Sequence, residues 1–281
     1  VILSKYRVGI GGLILGEYDE ETGASWIVED LDGWQRSTST GTTTPRSAAR
    51  GAWRSRAFQA AKGYTLKGVV HSAAGNAPDL IDQLLAAIPL DVPELMTVYG
   101  VHSGDDRITY VRQEGDADPK IVTPELATFS IGLVAPDPLT YSATQHVESA
   151  GLPVTTGGLS VPFTVPFSVN AVTVSGVVAV DNVGKAAVAP RVIFYGPVER
   201  PKITHLGTGE SLQLNMDLAS GEWLDLDLDR HTAMLNGVSS RRGYVSGQWF
   251  ELAPGNNLLA FNSPTYSAGA EAQIVWRDAW K

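Results

Sequence analysis

The stretch EWLDLDLDRH, residues 222–231, holds the densest set of side chains that could do chemistry. Asp225, Asp227 and Asp229 alternate with Leu224, Leu226 and Leu228. A calcium ion needs carboxylates that converge from a loop bent by glycine. A strand instead throws the three aspartates onto one face, roughly 7 Å apart, and the leucines onto the other. The better reading is a half-buried strand with a solvated acidic face. Other constellations fail sooner. His71, His102, His146, His205 and His231 make no HExxH or HxH pair. There is no GxSxG elbow, Walker A loop or GxGxxG fingerprint, and GIGG at residues 9–12 is too short to cradle a phosphate. Glu29, Asp30 and Asp32 are the kind of carboxylate cluster common on loops. The chain has no cysteine, which excludes disulfides and thiolate metal sites. No residues divide into nucleophile, base and oxyanion donor. No catalytic, cofactor-binding or metal-binding residue is therefore assigned, and no cofactor is expected. An unrecognised hydrolase with groups drawn from distant positions stays as the third reading.

Charge is more informative. The net charge of −9 argues against nucleic-acid binding through the whole surface. Residues 33–78 nevertheless contain no Asp or Glu and carry Arg36, Arg46, Arg50, Arg54, Arg56, Lys62 and Lys67. The window is either a solvated face or a surface that meets an acidic neighbour. STSTGTTT inside it, residues 37–44, cannot bury apolar area and is expected to be a mobile loop.

The elements around these residues are mostly strands. With 281 residues, the length prior favours two domains. One helix is expected over residues 78–89, where Leu80, Ile81, Leu84, Leu85 and Ile88 fall at helical spacing between two prolines. Residues 94–100 and 106–113 read as strands joined by a polar loop. Ala127, Phe129, Ile131 and Leu133 share one face of another, which Pro136 and Pro138 end. Ser, Thr and Gly suggest a linker at 142–160, and the short strands that follow have the rhythm of a β-sandwich. WFELAPGNNLLAFN reads as a hairpin whose turn is Pro254-Gly255-Asn256-Asn257. VGIGGLIL near the start is too short to cross a bilayer and reads as a strand with a glycine bend.

Several segments in their order resemble a known family. Ala127, Phe129, Ile131, Leu133, Ala135-Pro136-Asp137-Pro138 and Tyr141 follow a helix and a strand pair. Leu235-Asn236-Gly237, WFELAPGNNLLAF and AQIVWRDAW follow in the second half. This order resembles the distal tail proteins of long-tailed siphovirus bacteriophages, the minor tail proteins called Dit, over nearly the whole chain. The resemblance implies a mostly β fold. Residues 1–145 would be a tail-tube-like split β-barrel domain with one helix, and residues 146–281 a galectin-like β-sandwich. It also implies a ring, hexameric in this family, that joins the tail tube to the tip and receptor-binding proteins. The ring leaves a channel for DNA and the tape-measure protein. The expected location is the virion tail tip, assembled in the host cytoplasm, with no membrane insertion and no enzymatic role. In that setting Arg46, Arg50, Arg54 and Arg56 are the expected interface residues, facing acidic groups of a neighbouring subunit or tail protein. The alternative is a carbohydrate-binding sandwich for host-surface recognition. His205 and His231 lack the HxNPR context of galectins, and Trp223 lacks the following Gly-x-Glu.

Overall fold

A computed structural model describes residues 4–37, 39–55, 57–102, 105–156, 172–174 and 176–281. The chain separates into two compact units, residues 1–143 with Lys281, and residues 144–280.

The first unit opens with β1 (Arg7–Ile10) and β2 (Leu13–Leu15), joined by Gly11 and Gly12 at φ +54° and +86°. Only glycine takes two such angles in succession without strain, so the glycine bend makes a two-residue hairpin turn. Short β3 (Tyr18–Asp19) and long β4 (Ala24–Asp32) follow. The segment 39–59 adds four short strands, described below. Then come β9 (Lys62–Ser72), α1 (Ala77–Ala87), β10 (Glu94–His102), β11 (Asp105–Ala117), β12 (Lys120–Thr123), β13 (Leu126–Ala135) and β14 (Thr140–Ser142). Of the expected loop at 101–105, residues 101, 102 and 105 are strand, and 103 and 104 lie outside the described residues. The main sheet runs β2-β1-β10-β11-β13-β9-β4-β3. Its ends curl towards each other: Tyr6, just before β1, makes an isolated bridge to Val28 of β4. Among the described residues one bridge stands where a full ladder would close the sheet, so the sheet is curled.

Alternation drives this sheet. Ala127, Phe129, Ile131 and Leu133 all point into the core, with Leu66 and Val70 of β9 and Trp26 and Val28 of β4. The α1 stripe of Ala77, Leu80, Ile81 and Leu84 covers the same core. Gly68 has a specific reason to be glycine. A Cβ there would lie 2.4 Å from the Ile27 carbonyl oxygen and 2.5 Å from the Phe129 ring.

The second unit is a β-sandwich. One sheet contains β15 (His146–Gly151), β19 (Arg191–Tyr195), β22 (Trp223–Asp227), β23 (Thr232–Leu235), β24 (Ser239–Ser240) and β27 (Glu271–Trp276), in the order β15-β27-β19-β22-β23-β24. The other contains β18 (Val177–Asn182), β20 (Lys202–His205), β21 (Ser211–Leu214), β25 (Val245–Gly247) and β26 (Gly255–Asn262), in the order β18-β26-β20-β21-β25. A separate ladder pairs β16 (Val154–Thr156) with β17 (Val172–Val174). Phe194 of one sheet stacks on Phe261 of the other with centroids 5.7 Å apart, and both are fully buried.

Two local expectations need correction. The linker region holds β15, an edge strand paired with β27 from His146↔Trp276 to Gly151↔Glu271. Its Ser and Gly sit at exposed positions while Ala150 packs inward, so polarity marked an edge strand. The expected hairpin at Pro254-Gly255-Asn256-Asn257 is not one. Gly255, Asn256 and Asn257 already belong to β26, opposite Asn182, Asp181 and Val180. The segment before them makes a single bridge, Leu252↔Val188, and has no partner strand among the described residues. Leu235-Asn236-Gly237 does turn the chain between β23 and β24, with φ +50° and +71° at Asn236 and Gly237.

Candidate assembly surface

The acid-free window is not one surface. Lys62 is 2 % exposed, and its ammonium donates to the Trp34 carbonyl oxygen at 2.8 Å. Burial, with Arg107 nearby, lowers its pKa. Arg36 pairs with Asp32 at 3.2 Å, and Lys67 lies opposite Asp30 in the ladder. These three belong to the body of the first unit.

The remaining cations lie on an arm. β5 (Ser39–Thr40) pairs with β8 (Phe58–Gln59), and β6 (Thr43–Pro45) pairs with β7 (Ala52–Arg54). Between the two ladders the Ser55 amide donates to the Thr42 carbonyl at 2.9 Å. The Ser55 hydroxyl accepts from the Thr42 amide at 2.8 Å. Arg46 N–H donates to the Gly51 carbonyl at the tip. The polar tract expected as a mobile loop is therefore largely one side of a hairpin. Threonine is β-branched, and branching favours the extended backbone even without burial.

Every arm residue from Ser39 to Phe58 whose exposure is described is exposed. Trp53 is 65 % exposed. The Arg46 guanidinium lies over the Trp53 ring, 4.4 Å from its centroid. Arg50 is exposed beside the tip. Arg54 lies in β7 opposite Thr43, whereas Arg56 falls outside the described residues. The arm thus brings Arg46, Arg50 and Arg54 onto one element.

A second surface of the same unit escaped the sequence reading. An open apolar groove of about 780 Å³ is lined by the end of α1 (Leu85, Ile88), by Leu90 and Val92, and by Gln113 and Ala117 of β11. Leu90 and Val92 are 70 % and 72 % exposed. The available signal was IPLDVP, where flanking prolines strand two aliphatic residues in a loop.

The carboxylates that opened the sequence reading are structural. Leu224, Leu226 and Leu228 are buried. Asp225 accepts the Arg191 guanidinium in a two-pronged pair. Asp227 accepts the backbone amides of Asp229 and Arg230 at 3.0 Å and so shapes the turn after β22. Among the described residues no group of three His, Asp or Glu could hold a metal. Trp223 and Trp249 of the sandwich are occupied as well. Trp249 stacks with His231 at 4.8 Å, and the Arg242 guanidinium lies 4.8 Å from the same ring. A Cβ on Gly237 would meet the Trp223 ring at 3.2 Å, so that ring covers the β23–β24 turn.

Residues 183–280 match the siphovirus-type tail component, C-terminal domain family. The chain is thus similar to Dit proteins, in sequence over these residues and in fold beyond them. Its fold is similar to that of the Dit protein of phage SPP1, described as a paradigm of the hub adsorption apparatus in phages that infect Gram-positive bacteria. That match has 14% identity and a TM-score of 0.69, and covers 98% of this chain and 99% of that one. A chain of the phage P2 baseplate, in its activated conformation with Ca, matches at 8% identity and a TM-score of 0.44 over 96% and 97% of the two chains. No curated protein matches the sequence. The mostly β architecture with its sandwich domain is thus similar to the Dit fold.

Proposed function

We propose that this protein forms a closed ring, of six copies, at the tail tip. The ring joins the last tail-tube ring to the tip and receptor-binding proteins and leaves a channel for DNA and the tape-measure protein. The first unit builds the ring. The protein acts by assembly, not by catalysis, and assembles in the host cytoplasm. The observation that carries the reading is the exposed arm at residues 39–59, attached to a Dit-like fold. An isolated two-stranded hairpin is only marginally stable in water, so an arm of this kind calls for a neighbour to cover it.

A ring of one subunit type repeats a single heterologous contact until rotation closes it. Permanent contacts of this kind bury above about 2,000 Å² each. On this reading Arg46, Arg50, Arg54 and Arg56 face acidic groups of a neighbouring subunit or tail protein. A channel lined by them would grip DNA, because each phosphate contact adds salt-dependent affinity. Antibody labelling of intact particles tests the placement. Label at the distal end of the tail supports it, and label on the capsid or along the tube contradicts it.

A further inference from the structure

We infer that the arm of one copy docks into the groove beside α1 of the next copy, with Trp53 against the apolar floor and Arg46 and Arg50 against an acidic rim. The inference rests on the ring reading above and adds which two surfaces meet.

The two surfaces are complementary in chemistry. The groove is lined by Leu85, Ile88, Leu90, Val92 and Ala117 and contains no basic residue. Asp91 lies in its wall, Glu94 follows two residues after Val92, and Glu114 and Asp116 fall between the lining residues Gln113 and Ala117. All four carboxylates are exposed, and none appears in an ion pair among the described residues. The arm offers the reverse: no acid, an exposed indole, and the guanidinium groups of Arg46 and Arg50. Buried aromatic and arginine side chains are the usual anchors of protein interfaces, and the surrounding charges set register more than strength. The groove is in the size range of pockets that enclose a whole ligand, which leaves room for an indole and its neighbours.

Within one chain the arm stays exposed and the groove stays open. The pairing that covers both is therefore between copies. A contact of arm on one side and groove on the other is heterologous, the kind that propagates and closes into a ring.

The absence of cysteine gives a clean test. Full-length Ser47→Cys and Val92→Cys chains, with different tags, are mixed and treated with a short bismaleimide, and mass is measured in parallel. The expected result is a cross-linked product carrying both tags. Trp53→Ala or Leu90→Asp should weaken copy–copy affinity about tenfold or more and lower the yield accordingly. Assemblies of ring mass that give no two-tag product overturn the docking while leaving the ring intact. A Ser47→Cys/Val92→Cys chain that cross-links only to itself shows the arm folding onto its own groove, and also overturns it. Monomers at all concentrations, with and without the neighbouring tail proteins, overturn the ring reading and the docking together.

Discussion

His205 Nε2 lies 3.1 Å from Asn257 Oδ1, and both residues are buried inside the sandwich. His205 Nδ1 accepts the Thr208 amide at 3.2 Å, so the ring proton sits on Nε2 and is donated to Asn257. Asn257 also accepts the Ala253 amide and donates to the carbonyls of Ala253 and Gly255 at 2.8 Å. One amide side chain thus satisfies both backbone groups of Ala253 where the chain enters β26 with no partner strand among the described residues.

Asn257→Leu should therefore destabilise the second unit by about 2 kcal/mol or more, since it strands a buried imidazole proton and backbone groups. Chemical denaturation of the full chain measures this. A loss below about 0.5 kcal/mol would show that the network is dispensable.

Gly68→Ala should cost about 1–3 kcal/mol in the first unit, because the added Cβ meets the Ile27 carbonyl and the Phe129 ring. Thermal unfolding reads the shift. A neutral result would mean that β4 and β13 spread apart at no cost.

Alkaline stability should depend on Tyr64. Burial above all, with the Asp137 charge adding to it, holds this phenol well above its ordinary pKa of 10.0, although the neighbouring Thr109 hydroxyl acts the other way. A raised folded pKa gives a contribution that is fully present below the unfolded value and lost as pH rises through the folded one. Above pH 10 wild type should lose about 1.4 kcal/mol per pH unit relative to Tyr64→Phe. Parallel curves for the two proteins between pH 9 and 11 would refute this.

The arm should matter to assembly and not to the monomer. Arg46→Glu/Arg50→Glu/Arg54→Glu should leave unfolding within about 0.5 kcal/mol of wild type, as exposed substitutions do. Assembly should weaken, most visibly at low salt, because screening already reduces such pairs at high salt. Normal low-salt assembly of the triple variant would show that these arginines face no acidic partner.

The sandwich should fold alone as residues 144–281 with a cooperative melt. A fragment beginning at residue 160 lacks β15, which covers the edge of β27, and should melt lower. Equal melting of the two would mean that β15 adds nothing to the sandwich.

Elements with a strong period were legible in the sequence. The alternation at 127–133 and at 224–228 marked strands because one face of each is buried, and the α1 stripe did the same at helical spacing. Leu85 shows the limit: it shares that stripe yet is only half-buried, at the rim of the groove. Where side-chain networks or lone bridges decide, the pattern misled. Pro254-Gly255-Asn256-Asn257 has turn chemistry, but Asn257 works as a polar anchor inside a strand. The arm was legible in charge and not in shape, since its exposed threonines carry no alternation of polarity to read.

The most direct measurement of the central claim is the mass of the full-length protein in solution at micromolar concentrations and above, with electron microscope images of the same sample. The account predicts one closed species at six times the 29.9 kDa chain mass, seen as a ring with a central hole. A strict monomer at high concentration, alone and with its neighbouring tail proteins, or an open filament in place of a ring, would contradict it.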